Sequence, residues 1–215
     1  MCEVKFHVKL PIFVARQWIR HRTANVNEYS ARYSIVKDEF FMPEHDRLKR
    51  QSTTNRQGSS SEGYSDEIAE QLLQGLSDTS KAAFDIYALL VSDEVDLTRE
   101  LARIGLPLST YTEWYWKIDV HNLMHFLRLR ADPHAQEEIR VYAKVMCEVL
   151  EAWMPMTMRA FVDYRLNAVT FSGPEMRILL EMLAPEFGGF VNPDHMDGLS
   201  KRELAEFKKK IGLAA

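Results

Sequence analysis

Residues 3–10 alternate strictly: Val4, Phe6, Val8 and Leu10 fall on one side of an extended chain, and Glu3, Lys5, His7 and Lys9 on the other. A period of two is the signature of a half-buried strand. Pro11 suits the first turn of a helix, where its missing N–H costs nothing, and the segment Ile12 to Arg22 is compatible with one. Residues 23–34 are polar and poor in helix formers and read as a loop; a short β-rich segment follows near Ile35 to Met42. The stretch 49–65 is dominated by Ser, Thr, Asn, Gln and Gly, has no apolar period, and reads as a surface loop. From Asp66 to Val91 the apolar positions Ile68, Leu72, Leu76, Ala83, Tyr87 and Leu90 keep helical spacing, with Gly75 as a weak point.

A shorter helix near Leu97 to Ile104 stops at Gly105 and Pro107, and residues 108–118 are β-branched and aromatic, hence a strand. Asp119 is placed to cap a helix running to about Arg130, and Asp132-Pro133 to start a longer one reaching about Trp153. Two capping boxes, Ser172 to Glu175 and Ser200 to Glu203, announce helices in the tail. The pattern predicts an α+β fold with an antiparallel sheet packed against helices. It divides into a core over residues 1–168 and a helical C-terminal extension over 169–215.

Composition narrows what such a fold does. Over 215 residues, 27 Lys+Arg against 31 Asp+Glu leave a net charge of -4, which argues against a general nucleic-acid coat or a polybasic membrane binder. Two cysteines, Cys2 and Cys147, exclude a disulfide framework and make a reducing cytoplasm the expectation. No apolar run approaches membrane-spanning length.

Against that acidic background, Arg16 to Ser34 holds four arginines and one acid, a local charge of +3. Arginine is suited to planar, bidentate binding of phosphate or of an imide edge. The bland alternative is a solvated basic helix end followed by a polar loop. A second cluster runs from Asp119 to Arg130. His121 and His125 share a helix face there, as half of a metal site or as a polar wall against a large anionic cofactor. No third ligand is dictated by spacing, and no metal is expected. G-x-G-x-x-G, G-x-x-x-x-G-K-[ST] and G-x-S-x-G are all absent. Cys147 lies in a helical run and reads as an inert core thiol.

The segment Arg20-His21-Arg22, seven residues, then Ser30, extended by Asn27-Glu28-Tyr29-Ser30 and Arg32-Tyr33-Ser34, resembles the signature of the flavin-dependent thymidylate synthases. The later stretches LARIGLP and YTEWYWKIDVHNLMHFLRLRADPHAQEEIRVYA resemble the same family in the same order, and the resemblance spans about residues 3–165. It implies a homotetramer that binds FAD without a Rossmann motif and methylates dUMP to dTMP. The implied carbon donor is 5,10-methylenetetrahydrofolate and the implied reductant NADPH.

By position, the resemblance implies that Gln17, Arg20, Tyr29, Ser30, Ala31, Arg32 and Arg103 contact dUMP, with Arg32 and Arg103 at its phosphate. It sets Glu28 between nucleotide and flavin. Arg130 becomes the catalytic arginine that polarises the uracil and favours its ionised form. Flavin contacts fall to Arg20, His21, Arg22, Thr23, Glu28, Asp119, Val120, His121 and His125. Family members carry several tens of residues before the first strand, so an upstream extension is expected to tighten flavin binding. The rival reading is a non-catalytic nucleotide- or RNA-binding module with Trp114, Tyr115 and Trp116 as stacking platforms.

Overall fold

In the computed structural model, which describes residues 2–53, 58–183 and 199–212, the first strand, β1 (Glu3–Pro11), is laid down by its own alternation. Val8 and Leu10 are buried while Glu3, Lys5, His7 and Lys9 are exposed. It pairs antiparallel with a strand that is distant in sequence, β5 (Tyr111–Asp119), with Phe6 opposite Trp116 and Val8 opposite Trp114. Between them in the chain come α1 (Ile12–Trp18), β2 (Asn25–Glu28), the β3/β4 hairpin (Lys49–Gln51 and Ser59–Gly63), α2 (Asp66–Leu90) and α3 (Arg99–Ala102). After β5 come α4 (Val120–Arg130) and α5 (Glu137–Trp153). The main sheet has the order β1-β5-β2 and is antiparallel throughout.

Aromatic packing sets the core of this first unit, Met1–Pro155. Trp18, fully buried at the end of α1, meets Trp114, Trp116, Phe126 and Tyr142 at ring distances of 5.7, 5.1, 4.8 and 5.7 Å. One side chain thus ties α1 to β5, α4 and α5. Tyr142 also donates its hydroxyl to the carbonyl of Lys9 at 2.9 Å, fixing α5 to β1.

Several boundaries differ from the pattern. The first helix ends at Trp18, not Arg22: His21 N–H bonds the Trp18 carbonyl at 2.9 Å and closes a turn there. Pro11 is the last residue of β1 and the N-cap of α1, not its first turn. Residues 25–28, read as loop, form β2 because Val26 is drawn opposite Trp116; tertiary pairing outweighs their polar composition. The 49–65 loop contains the short exposed hairpin, and near Ile35 to Met42 the only pairing is an isolated Phe40–Thr110 bridge. The helix expected from Asp132-Pro133 begins at Glu137, because Asp132 Oδ1 accepts from His134 N–H at 2.7 Å and holds a turn instead.

Asp119 does cap α4. Its carboxylate accepts from Asn122 N–H at 2.9 Å and from Asn122 Nδ2 at 2.7 Å. The Asn122 side chain, then its backbone N–H, hold the Asp119 pKa below the usual value. A depressed carboxylate stabilises the fold above its unfolded pKa, and this contribution fades as acidification takes the pH down through the folded value. Asp119→Ala is expected to cost about 1 kcal/mol near neutral pH, read by urea unfolding, with the deficit shrinking in acid. Equal midpoints for wild type and variant at neutral pH would rule out this role.

The second unit, Met156–Ala215, is helical among its described residues: α6 (Pro155–Phe161) enters it, a π-helical turn spans Val162–Leu166, and α7 (Gly173–Leu183) and α8 (Lys201–Lys210) follow. Ile178 and Phe207 form its core. Both capping boxes are present, Ser172 with Glu175 and Ser200 with Glu203. Glu175 serves twice: Lys210 Nζ reaches its two carboxylate oxygens at 2.7 and 2.8 Å and, with Ser172, holds its pKa down to about 2.

Candidate active site

The short strand β2 delivers Glu28 to the start of a loop whose shape is fixed by its own hydrogen bonds. Tyr29 N–H continues the ladder to the Glu113 carbonyl at 2.8 Å, and the Tyr29 hydroxyl donates to the Ile35 carbonyl at 2.9 Å. The Ser30 carbonyl accepts from Tyr33 and Ser34 N–H, both at 3.1 Å, and Ser30 Oγ accepts from Arg32 N–H at 3.3 Å. Glu28, Tyr29, Ser30 and Ala31 thereby line one cavity of about 360 Å³ together with Arg103. Glu28 is oriented by Thr112, whose hydroxyl donates to its Oε1 at 2.7 Å. Thr110 also lines the cavity, and its buried Oγ1 has no hydrogen-bond partner. A buried hydroxyl without a partner is costly unless a ligand supplies one. Among the described residues that line the cavity the cation is Arg103, so the cavity offers a carboxylate, hydroxyls and a guanidinium to a polar anion.

Arg32 does not line this cavity. Its Nη2 pairs with Glu100 Oε2 at 2.9 Å beside a neighbouring groove, where Arg99 Nη1 also donates to the Tyr33 carbonyl at 2.7 Å. Arg103 Nε reaches the Glu100 carbonyl at 3.4 Å, so one short helix holds both arginines. With half of each side chain exposed, the Arg32–Glu100 pair is weak, on the order of 0–1 kcal/mol, and is readily exchanged for another anion.

A second group assembles where the turn after α1 meets α4. Arg130 Nε donates to His21 Nε2 at 3.0 Å, and the His21 ring stands edge-on to Phe126 at 4.9 Å and to His125 at 6.1 Å. Burial first, then the Arg130 charge, then His125 hold the His21 pKa down to about 4. Burial also lowers the Arg130 pKa. Arg20, Arg22 and Thr23 are exposed, and their side chains form no hydrogen bond or ion pair with any described residue. Two donor-only guanidiniums and a hydroxyl within four positions, with a histidine between them, suit the pyrophosphate of a dinucleotide such as FAD. His121 is exposed one turn before His125. Asp119 spends its carboxylate on the cap, and Val120 is buried with its N–H on the Cys2 carbonyl at 3.0 Å. Gln17 presents a buried Oε1 without a partner.

Among the described residues no three His, Cys, Asp or Glu side chains are grouped to hold a metal ion. Among the described residues no histidine or carboxylate hydrogen-bonds Ser30, so none of them is placed as its activating base. Burial, then Glu148 and Glu151, raise the Cys147 pKa, consistent with an inert thiol. The stacking-platform alternative loses two of its three aromatics. Trp114 and Trp116 are 2% and 1% exposed, and Tyr115 alone faces outward, stacked on His7 at 4.7 Å. Thr110, Thr112 and Glu100 escape a sequence reading, since threonines in a strand register there only as β-formers.

An antiparallel α+β core with a polar cavity and a turn of unpaired guanidiniums is equipped to bind anionic ligands through arginine, without a glycine-rich phosphate loop. Comparison with known proteins shows the family. The profile of the family described as thymidylate synthase complementing protein matches residues 1–156. The flavin-dependent thymidylate synthase of Gluconobacter oxydans is 55% identical over 207 residues, covering 96% of this chain and 67% of that protein. Its counterpart in Ruegeria pomeroyi is 52% identical over 214 residues, covering 99% and 69%. A crystal structure of the UMP/dUMP methylase PolB from Streptomyces cacaoi, bound with 5-Br UMP, superposes with a TM-score of 0.69 at 35% identity, covering 75% of this chain and 74% of that one. The chain belongs to the flavin-dependent thymidylate synthase family.

Proposed function

We propose that the protein is an FAD-dependent thymidylate synthase that methylates dUMP to dTMP. The reading takes 5,10-methylenetetrahydrofolate as carbon donor and NADPH as reductant. The observation that carries it is the single cavity in which Glu28, Tyr29, Ser30 and Ala31 meet Arg103. A nucleoside monophosphate is small enough for that cavity and asks for one cation at its phosphate and polar partners at its base. Arg32 joins Arg103 at the phosphate by giving up its exposed bond to Glu100. Gln17 and Arg20 complete the nucleotide contacts. Arg130 polarises the uracil.

Arg20, His21, Arg22, Thr23, Glu28, His121 and His125 would hold FAD, with Asp119 and Val120 contributing through the helix start they form. When bound, FAD would supply the redox chemistry of the methylation, and this chain would hold and orient it without having to offer a nucleophile of its own.

The reading also makes the protein a homotetramer with shared sites. In support, α2 leaves Ile68, Leu72 and Leu76, one face at four-residue spacing, 45%, 42% and 47% exposed, the kind of stripe that buries itself against another copy. No helix among the described residues is long and apolar enough to cross a membrane, and both cysteines are free. A cytoplasmic home fits the latter. The reading takes residues 169–215, helical over Gly173–Leu183 and Lys201–Lys210, as an extension of the catalytic core.

The test is conversion of dUMP to dTMP by protein reconstituted with FAD, with the folate donor and NADPH supplied. Protein that binds no flavin and forms no dTMP would end the proposal. Ser30→Ala sharpens it: turnover persists, with KM for dUMP raised roughly fivefold to tenfold, the value of one hydrogen bond of about 1 kcal/mol. A nucleotide trapped covalently on Ser30 during turnover would overturn the nucleophile-free scheme.

A further inference from the structure

We infer that His21 is a positioning residue: by accepting a hydrogen bond at Nε2, it fixes the direction in which the Arg130 guanidinium points. The inference deepens the reading of Arg130 given above and rests on it. The two residues come from different parts of the fold, His21 from the turn after α1 and Arg130 from the last position of α4, and they meet at 3.0 Å. A guanidinium presents five N–H donors in one plane. Engaging Nε from the His21 side leaves the two terminal nitrogens as a fork, the edge that binds a planar acceptor such as a pyrimidine carbonyl and, once its proton has left, the ring nitrogen beside it. Without that anchor, a long side chain at a helix end samples many rotamers, and ordering it costs entropy at each turnover.

The anchor is itself held. The His21 ring stands at 72° to Phe126, which is fully buried and packs against Trp18 and Trp116 at 4.8 and 5.1 Å. A contact path therefore runs from the rigid aromatic core through Phe126 and His21 to Arg130.

Acceptance at Nε2 requires the neutral ring with its one proton on Nδ1. The titratable groups that face His21 are Arg130 and His125, both on α4, and among the described residues no carboxylate forms an ion pair with it. With its pKa held to about 4, the ring keeps the free lone pair throughout the neutral range. A protonated His21 would lose the bond and set cation against cation.

Two substitutions separate the acceptor from the ring. His21→Phe keeps an aromatic edge against Phe126 but accepts nothing, whereas His21→Gln gives up the ring and restores an acceptor in its amide oxygen. With flavin and dUMP saturating, kcat falls at least about tenfold in His21→Phe, and His21→Gln recovers most of that loss. A ring that serves only packing gives the reverse order, and that result overturns the inference. In an Arg130→Ala background at saturating flavin, His21→Phe lowers kcat by much less than it does in the wild type, because the two residues act as one unit.

A readout independent of turnover is 15N imidazole NMR of the full-length protein near neutral pH. His21 appears as the tautomer protonated on Nδ1, and in Arg130→Ala its pKa rises toward that of an ordinary histidine. A His21 protonated on Nε2 in the wild type overturns the inference whatever the kinetics. If Arg130→Ala alone retains full turnover, the reading of Arg130 fails, while the tautomer still decides whether His21 holds that side chain.

Discussion

Replacing Arg130 with alanine is expected to lower kcat for dTMP formation by about 10²–10³-fold while the protein still folds. Arg130 ends α4 and is partly buried, and burial lowers its pKa from the usual arginine value. A guanidinium nonetheless stays charged in proteins, so this is a cation held in a medium that screens it less than water does. In the proposed reading a fixed cation of this kind would stabilise negative charge as it develops on the uracil, with no reorganisation needed when the charge appears. Only an interaction that strengthens in the transition state accelerates the chemistry, which is why the loss should appear in kcat more than in KM.

The fold should survive. Apart from its backbone, the Arg130 side chain makes one hydrogen bond among the described residues, to His21, worth about 1.5–3 kcal/mol for a charged donor. Circular dichroism and urea unfolding check that the variant is native, and product analysis at saturating dUMP gives kcat. Turnover within about threefold of wild type, well short of the loss expected of an electrostatic catalyst, would remove Arg130 from catalysis.

What the sequence discloses here is what is local. The alternation of Glu3 to Leu10, the aromatic run of β5, the 25-residue helix from Asp66 and the Asp119 cap each depend on residues a few positions apart, and each is observed as expected. Both tail capping boxes belong to the same kind of signal. The basic cluster is legible as a run of arginines, and Glu28 to Ala31 at its end share a cavity because they are contiguous.

What stays hidden is pairing across long stretches of chain. β2 has little apolar content and exists because β5 offers it an edge. Thr112 orients Glu28 across 84 residues, and Arg130 finds His21 across 109, which no helical or strand period encodes. Arg32 illustrates the converse. It belongs to the legible cluster, yet its side chain turns to Glu100, a residue on a short helix that the pattern predicts but does not join to that cluster.

The largest loss of stability is expected from Trp18→Ala, about 3–5 kcal/mol by urea unfolding, the range for emptying an aromatic site in a packed core. Trp18 is fully buried and touches four aromatic rings that come from β5, α4 and α5. Those elements do not collapse easily into the gap, because β5 is fixed on both edges by β1 and β2 and α5 is tied to β1 through Tyr142. Against a typical total of about 5–15 kcal/mol, the variant should sit close to unfolding at physiological temperature.

Trp18→Phe tests whether the ring or its polar atom matters. The indole Nε1 is buried with no hydrogen-bond partner, so its N–H contributes a desolvation cost and no compensating bond. Phenylalanine removes that orphan donor along with some packing, and the two changes oppose each other. The expected loss is therefore small, about 1–2 kcal/mol, well short of the alanine value. Trp18 also comes three residues before His21 and contacts Phe126, which the His21 ring packs on. Loosening it should relax both the basic turn and the Arg130 end of α4. Flavin affinity and kcat should then fall together in Trp18→Ala even under conditions where the protein remains folded. A Trp18→Ala protein less than about 1 kcal/mol weaker than wild type would mean that the aromatic cluster does not bear the fold's stability.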